Sequence, residues 1–411
     1  MPTALSLFSG CGGFCEGIEH SGFKLQAAVE LDRFACETYR HNFPKTPLFA
    51  RDVHEFLDQG TEHRAEFGLE SVDLVFGGPP CQGFSQIGAR RLDDERNELY
   101  KQYTRIVRKL RPRVFLMENV PNLALMNKGH FKKLILEEFA ELGYKNTVML
   151  RVSADDFGVP QTRQRVIFVG SRDEDFFPHD LGEFASHFMD SIKVAKPVTV
   201  HEAICDLPDS VVPSGEVTKY PKTRKPSSFQ REMRMDYDGV VYSKAEKRNR
   251  GLGSGQVELH NHHTKEIQAK RAHLISLLEP GKKADSLPKN IWDNARPEKW
   301  RRLHPDRPSH TILAQMHRDL SEWIHPSLNR WITVREAARL QSFHDGFVFV
   351  GSEWQQLKQI GNAVPPLLGH ALGQLALNIL NELNQVQTHK KTLAKSEKPK
   401  GSGRVLADMP A

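Results

Sequence analysis

The sequence predicts an α/β fold, a mostly parallel sheet flanked by helices and joined to a smaller, irregular second domain. Three observations carry this. Short apolar runs alternate with amphipathic stretches through the first 172 residues. Those runs end in glycine, proline or acidic residues, the types found where strands pass into ligand-facing loops. From about Asp173 the rhythm stops, and the stretch to about His310 is rich in Pro, Ser, Lys and Arg.

Each element follows from its local pattern. Residues 4–8 read as a strand entering the glycine-rich turn Ser9-Gly10-Cys11-Gly12-Gly13, after which Phe14, Ile18 and Phe23 fall near helical spacing. A second strand, residues 25–29, ends in Glu30-Leu31-Asp32, and a helix is expected over residues 34–42. Arg51-Asp52-Val53 follows a third strand. Residues 72–76 form a strand running into Gly77-Gly78-Pro79-Pro80-Cys81. A helix over residues 99–110 leads to the strand 114–117, which ends in Glu118-Asn119. Residues 165–170 add a later strand. Ile267, Leu274, Leu277 and Leu278 mark an amphipathic piece, and regular helices return at residues 333–343 and after Pro366. The expected organisation is 1–172 for the main domain, 173–310 for the second and 311–384 for a return to the first. Residues 385–411, with Lys390-Lys391 and Lys398-Pro399-Lys400-Gly401, read as a disordered basic tail.

Composition bounds the function. The chain has 411 residues, 39% hydrophobic and 26% charged, and so can bury a sizeable core. Its net charge of +6 is unevenly placed. Lys219 to Arg302 holds twenty basic residues against ten acidic, and Lys390 onward six against two, so nucleic-acid contact is expected in those segments. No uninterrupted apolar run is long enough for a membrane span, and the N-terminus does not read as a signal peptide. Five cysteines without a Cys-x-x-Cys pair argue against a disulfide framework or zinc ribbon and fit a reducing cytoplasm.

The chemistry-bearing residues gather at strand ends. The loop from Ser9 to Gly13 lets a ligand approach the backbone, and the next helix offers free N–H groups. Glu30 can accept from ribose hydroxyls, Leu31 can pack on an adenine face, and Asp52 can accept an adenine amino group. A nicotinamide-dinucleotide site is the alternative, but the third glycine of G-x-G-x-x-G is missing. Two glycines and two prolines before Cys81 fix an exposed backbone suited to a nucleophile, and Glu118 supplies a general acid beside it.

Pro79-Pro80-Cys81-Gln82, Glu118-Asn119-Val120 and Gln161-Thr162-Arg163-Gln164-Arg165 stand in the order seen in DNA cytosine-5 methyltransferases of the bacterial type. Phe8-Ser9-Gly10-Cys11-Gly12-Gly13 opens the set, Arg335 to Phe343 resembles the family's ninth block, and Gln359 to Pro366 closes it. The resemblance covers about residues 3–380. Ser6 stands where many members have Asp, and Arg51 where glycine is common. The resemblance implies a Rossmann-like, S-adenosylmethionine-dependent methyltransferase fold with a target recognition domain in the variable middle. It implies attack by Cys81 on C6 of a flipped-out cytosine, with Glu118 at N3 and Arg163 and Arg165 supplying positive potential. The cofactor pocket would comprise Phe8, Ser9, Gly10, Gly12, Gly13, Glu30, Leu31, Asp52, Val53, Pro79, Asn362 and Val364. Gln82, Ser85, Arg90 and Arg91 would contact DNA from a mobile loop.

Further expectations accompany this reading. The partner is duplex DNA, a cognate restriction endonuclease acts on the same site without direct contact, and the protein is monomeric and cytoplasmic. No metal is expected: His260-Asn261-His262-His263 lacks a zinc-type spacing and reads as polar loop residues. The rival readings are the same chemistry on transfer RNA and a catalytically silent DNA-binding homologue. Retained Cys81, Glu118 and both arginines speak against the second.

Overall fold

The computed structural model describes residues 1–58, 62–80, 98–125, 129–175, 177–221, 225–234, 258–292 and 299–396. The first apolar run becomes β1 (Thr3–Leu7), paired in parallel with β2 (Lys24–Val29) on one side and β4 (Leu74–Gly77) on the other. β3 (Leu48–Phe49) continues in parallel beyond β2, and β5 (Val114–Asn119) beyond β4. Two further strands, β6 (Asn146–Ser153) and β8 (Gln164–Ser171), complete a seven-stranded sheet of order β3-β2-β1-β4-β5-β8-β6. The chain walks outward from β1 in one direction and from β4 in the other. The switch point where a ligand can enter therefore lies between β1 and β4, outside their carboxyl ends.

Strand alternation sorts the core into two faces. Ala4, Leu74, Phe76 and Leu116 pack on one side, and Leu5, Leu7, Val75, Phe115 and Met117 on the other. Helices cover both faces, which is why the middle of the central strands is almost wholly apolar, Ser6 excepted. Burying each Leu or Phe is worth about 1.5–3 kcal/mol. The first side carries α1 (Gly13–His20). The second carries α4 (Glu98–Leu110), whose Tyr103 hydroxyl donates to Leu116 O at 2.9 Å, and α6 (His130–Glu141). α2 (Arg33–Asn42) starts on an Asp32 cap that accepts from Phe34 and Ala35 N–H. The short α3 (Glu62–Glu66) and α5 (Asn122–Leu125) fill the connections.

The sheet is mostly parallel, as expected, and its antiparallel part lies at one edge. β8 lies antiparallel to both β5 and β6. β6, with polar Asn146, Thr147, Arg151 and Ser153 interrupting its apolar residues, gave no clear run in the sequence. α7 (Leu181–Ser191) packs on β6, so the sheet's helical layer continues beyond the expected boundary at residue 172.

The second half is tied together by buried polar groups. It contains α8 (Val200–Ile204), α9 (Ser228–Met233), α10 (Ala269–Leu277) and β9 (Ser309–His310), and β9 pairs in parallel with β7 (Gln161–Thr162). α8, α9 and α11 (Val334–Leu340) each begin with a capping box, the last formed by Thr333 and Glu336. Arg339, fully buried, bonds Asp206 beyond α8 and Asp345 beyond α11. His262 joins Pro208 O to the Thr333 hydroxyl, and Asn261, with φ 62°, donates to and accepts from Phe349. Residues 260–263 are thus loop residues, as expected, with Asn261, His262 and His263 buried as joints between segments.

α12 (Glu353–Asn362) and α13 (Pro366–Ser396) close the fold. α13 continues through residues 385–396, where disorder is expected from the sequence. That stretch contains no Gly or Pro, and Leu380 and Leu383 anchor the turns before it in the core. Residues 397–411 lie outside the described residues. The stretch Glu353–Val386 contains a window of mean hydropathy 1.3, apolar enough for a membrane, because its side chains face the core: 72% of that window is buried.

Candidate active site

A cleft of about 940 Å³ opens at the switch point. Its floor is built by register. Gly77 of β4 sits opposite Met117, so the next residue, Gly78, lies beside Glu118. A Cβ on Gly78 would stand 2.8 Å from Glu118 Oε2, so glycine is what leaves room for that carboxylate. On the other side Glu118 pairs with Ile167 of β8, and Arg165, two residues along on the same face, reaches it diagonally. Arg165 Nε and Glu118 Oε1 are 2.6 Å apart, with both side chains 12% exposed.

Pro79 and Pro80 line the cleft beside this pair. Asn119, in the last position of β5, donates from Nδ2 to Pro79 O at 3.1 Å and so pins the Pro-Pro turn to the strand carrying Glu118. The sequence quotes Asn119 within its motif without revealing this role. The next residue, Cys81, lies outside the described residues, as do Gln82, Ser85, Arg90 and Arg91. Cys11, Cys15 and Cys36 are not activated thiols: burial pushes Cys11 far up and Cys15 and Cys36 up to about 11.

Arg163 also ties the cleft wall together. It lines the cleft but is 3% exposed, and its guanidinium donates to Ile312 O at 2.8 Å and Gly361 O at 3.2 Å. Burial, reinforced by Arg165, disfavours its charge, while Glu118 opposes that effect. It is a scaffold residue that holds two cleft-wall segments, whereas Arg165 meets the acid directly.

The cofactor residues divide in the same way. Phe8, Gly10, Glu30, Leu31, Asp52, Val53, Pro79 and Asn362 line the cleft. Ser9, Gly12, Gly13 and Val364 do not appear on its lining. The Ser9 hydroxyl bonds Ser6 Oγ at 2.8 Å and accepts from Val29 N, tying β1 to β2. A Cβ at Gly12 would strike the Phe43 ring, and one at Gly13 would lie 2.5 Å from Val364 O. At both positions glycine is what permits this close packing.

Glu30 is more engaged than expected. Oε1 accepts from Leu31 and Asp32 N–H at 2.9 and 2.8 Å, and Oε2 from Gly10 N at 2.7 Å. A carboxylate has about four acceptor positions, so this arrangement leaves one for a ribose hydroxyl rather than enough for two. Burial raises its pKa and the three N–H groups oppose that. Asp52 accepts from the His54 N–H at 2.9 Å and pairs with His54 Nδ1, whose other ring nitrogen lies 2.9 Å from Glu98. Burial lowers the His54 pKa, but the two carboxylates win and raise it.

Several wall residues were not among the expected site residues: Asp32, which only shared the acidic strand end with Glu30, and Leu99, Leu313, Ala314, Gln315 and Lys358, which carried no signal in the sequence. The 313–315 strap crosses so near α12 that a Cβ on Gly361 would lie 2.3 Å from Leu313 O. Among the described residues no group of His, Cys, Asp and Glu side chains is arranged to hold a metal.

Comparison with known proteins agrees with this geometry. The family model for C-5 cytosine-specific DNA methylase matches residues 3–377. Type II methyltransferase M.AgeI of Thalassovita gelatinovora is 35% identical, across 90% of this chain and 98% of its own length. Type II methyltransferase M1.HphI of Haemophilus parahaemolyticus is 33% identical, across 92% and 87%. The crystal structure of a prophage-encoded protein of E. coli, described as a DNA modification methyltransferase, superposes with a TM-score of 0.71 at 28% identity, covering 93% of this chain and 100% of that one. Motif order, sheet topology and the pairing of Glu118 with Arg165 at the switch point thus converge, and the chain belongs to the C-5 cytosine-specific DNA methylase family.

Proposed function

We propose that this protein methylates C5 of a cytosine flipped out of a specific duplex DNA sequence, using Cys81 as nucleophile, and that it serves a type II restriction–modification system. The observation that carries the reading is the Glu118–Arg165 pair on the cleft wall beside Pro79 and Pro80, one residue from Cys81.

The residues present fit S-adenosylmethionine. The cleft is roomy enough, Glu30 keeps an acceptor for a ribose hydroxyl, Asp52 stands on the wall, and Leu31, 63% exposed, offers an apolar face. When bound, the cofactor supplies an electrophilic methyl group on a sulfonium. Every other step belongs to the chain and the base. The Cys81 thiolate adds to C6, forming an S–C bond, and the electron pair displaced through the ring makes C5 enamine-like. Glu118, as the acid, gives or shares a proton at N3 to offset the charge developing there. Arg165 keeps that carboxyl aimed, and Arg163 fixes the wall behind it. C5 would take the methyl group as the carbon–sulfur bond of the bound sulfonium breaks to leave a thioether. A base then removes the C5 proton, that electron pair re-forms the C5–C6 double bond and expels Cys81 as thiolate, and N3 returns its proton to Glu118.

The test is methyl transfer from labelled S-adenosylmethionine to separate samples of duplex DNA and transfer RNA, with wild type and Cys81→Ser. Label entering DNA, lost in the variant, is expected. Label entering only RNA would select the rival substrate, and activity surviving in Cys81→Ser would overturn the covalent route. DNA carrying 5-fluorocytosine should trap an adduct, because fluorine at C5 blocks the last proton removal.

A further inference from the structure

The two walls of the cleft are bridged at its mouth by an ion pair between residues far apart in sequence. Asp32 Oδ2 accepts from Lys358 Nζ at 2.9 Å, joining the turn after β2 to α12. Both residues line the cleft, and both side chains are about one-third exposed, at 35% and 34%. Asp32 is already satisfied as the α2 cap through Oδ1, so the bond to Lys358 is an addition to the helix, not a requirement of it. Burial raises the Asp32 pKa, but Lys358 and the cap N–H groups outweigh it, so the carboxylate stays charged.

The other polar ties between these walls differ in kind. Asn42 exchanges two hydrogen bonds with the backbone of Val348, and Val350 N donates to the Thr38 hydroxyl, with both side chains buried behind the cleft. Among the described ties between α2 and residues 348–358, the ion pair is the one at the open side. Asp32 also shares its turn with Glu30, the ribose acceptor, since Asp32 N donates to Glu30 Oε1. An exposed ion pair contributes little to folding, so its place on the lip is better explained by what passes the lip.

We propose that Asp32–Lys358 is a clasp across the mouth of the cofactor cleft that slows departure of S-adenosylmethionine and of its demethylated product. Lys358 is a positioning residue here, acting through Asp32 and the Glu30 turn. The proposal deepens the functional reading above and rests on it. For an ion pair of this exposure, removal should speed release by about threefold.

The test uses the full chain loaded with tritiated S-adenosylmethionine and chased with excess unlabelled cofactor. Lys358→Met should release label about threefold faster than wild type, and Lys358→Arg should restore most of the difference. In wild type, raising salt to about 1 M, where the Debye length is about 3 Å, should speed release towards the Lys358→Met rate, while the variant responds less. A merely structural lysine would lower the melting temperature without that salt convergence. Equal release rates for wild type and Lys358→Met, or equal salt responses, would overturn the clasp while leaving the functional reading intact. Failure of wild type to retain S-adenosylmethionine at all would overturn both.

Discussion

Gly78→Ala isolates the placement of the acid from its identity. Gly78 is not among the residues in the left-handed region, so alanine imposes no backbone strain. Its Cβ would lie 2.8 Å from Glu118 Oε2, and ordinary contact begins near 3.4 Å, so the carboxylate must retreat by about 0.6 Å. That oxygen is the tip of a flexible side chain, and the fold should survive with an almost unchanged melting temperature. The retreat is set against Arg165, 2.6 Å away on the other carboxylate oxygen, so the pair rotates as a unit. A misplacement of 1 Å can cost about a hundredfold in rate, so a loss of about tenfold in kcat is expected, with little change in KM for S-adenosylmethionine. The assay is single-turnover methylation of cognate duplex DNA, with a crystal structure of the variant to measure the shift. An unchanged kcat with a visibly displaced carboxylate would refute the assignment of Glu118 to N3.

Three further outcomes follow from the geometry. Gly361→Ala drives a Cβ into Leu313 O at 2.3 Å, a backbone atom with little freedom, and should cost about 1–3 kcal/mol in denaturant unfolding and raise KM for the cofactor. Arg163→Ala should lower stability by about 2–5 kcal/mol, by stranding Ile312 O and Gly361 O and leaving a cavity, and should impair cofactor binding, whereas Arg165→Ala should act chiefly on kcat. Glu336 gives a pH dependence: burial would raise its pKa, but Arg330 and His325 prevail and hold it at about 2. Its contribution to stability is present above the unfolded value of about 4.3 and is lost as pH falls through about 2, so urea unfolding should weaken across that window. Arg330→Met should abolish that part of the acid sensitivity while destabilising the protein at neutral pH, and an unaltered acid transition would refute the coupling.

The parts of the fold visible in the sequence were those governed by local rules. β1, β2, β4 and β5 followed from apolar runs, and Glu30 and Glu118 from their places at or near strand ends. Sequence does not distinguish a glycine that lines the cleft, as Gly10 does, from Gly12 and Gly13, which make room for the Phe43 ring and the Val364 carbonyl. Arg163 and Arg165 look alike within Gln161–Arg165. Their separation into scaffold and acid partner depends on where Ile312 and Gly361 arrive. The 313–315 strap and Lys358 became wall residues through tertiary placement alone. The helix beyond residue 385 was obscured because lysine-rich composition is shared by solvated helices and disordered tails.

The interlock of the first and last helices bears on the order of events during synthesis. Gly17 of α1 lies against the backbone at Pro366 and His370, where any side chain would come within 2.3–2.4 Å. The part of α1 that does not pack on the sheet, as Phe14 does on Phe76, therefore has no cover until α13 has been made, more than three hundred residues later. A nascent chain carries Glu118 and Arg165 well before the wall segments 313–315 and 358–362 have been made. Modification competence should arrive abruptly once α13 has been made, and termination before residue 366 should yield chains that aggregate rather than chains that methylate weakly.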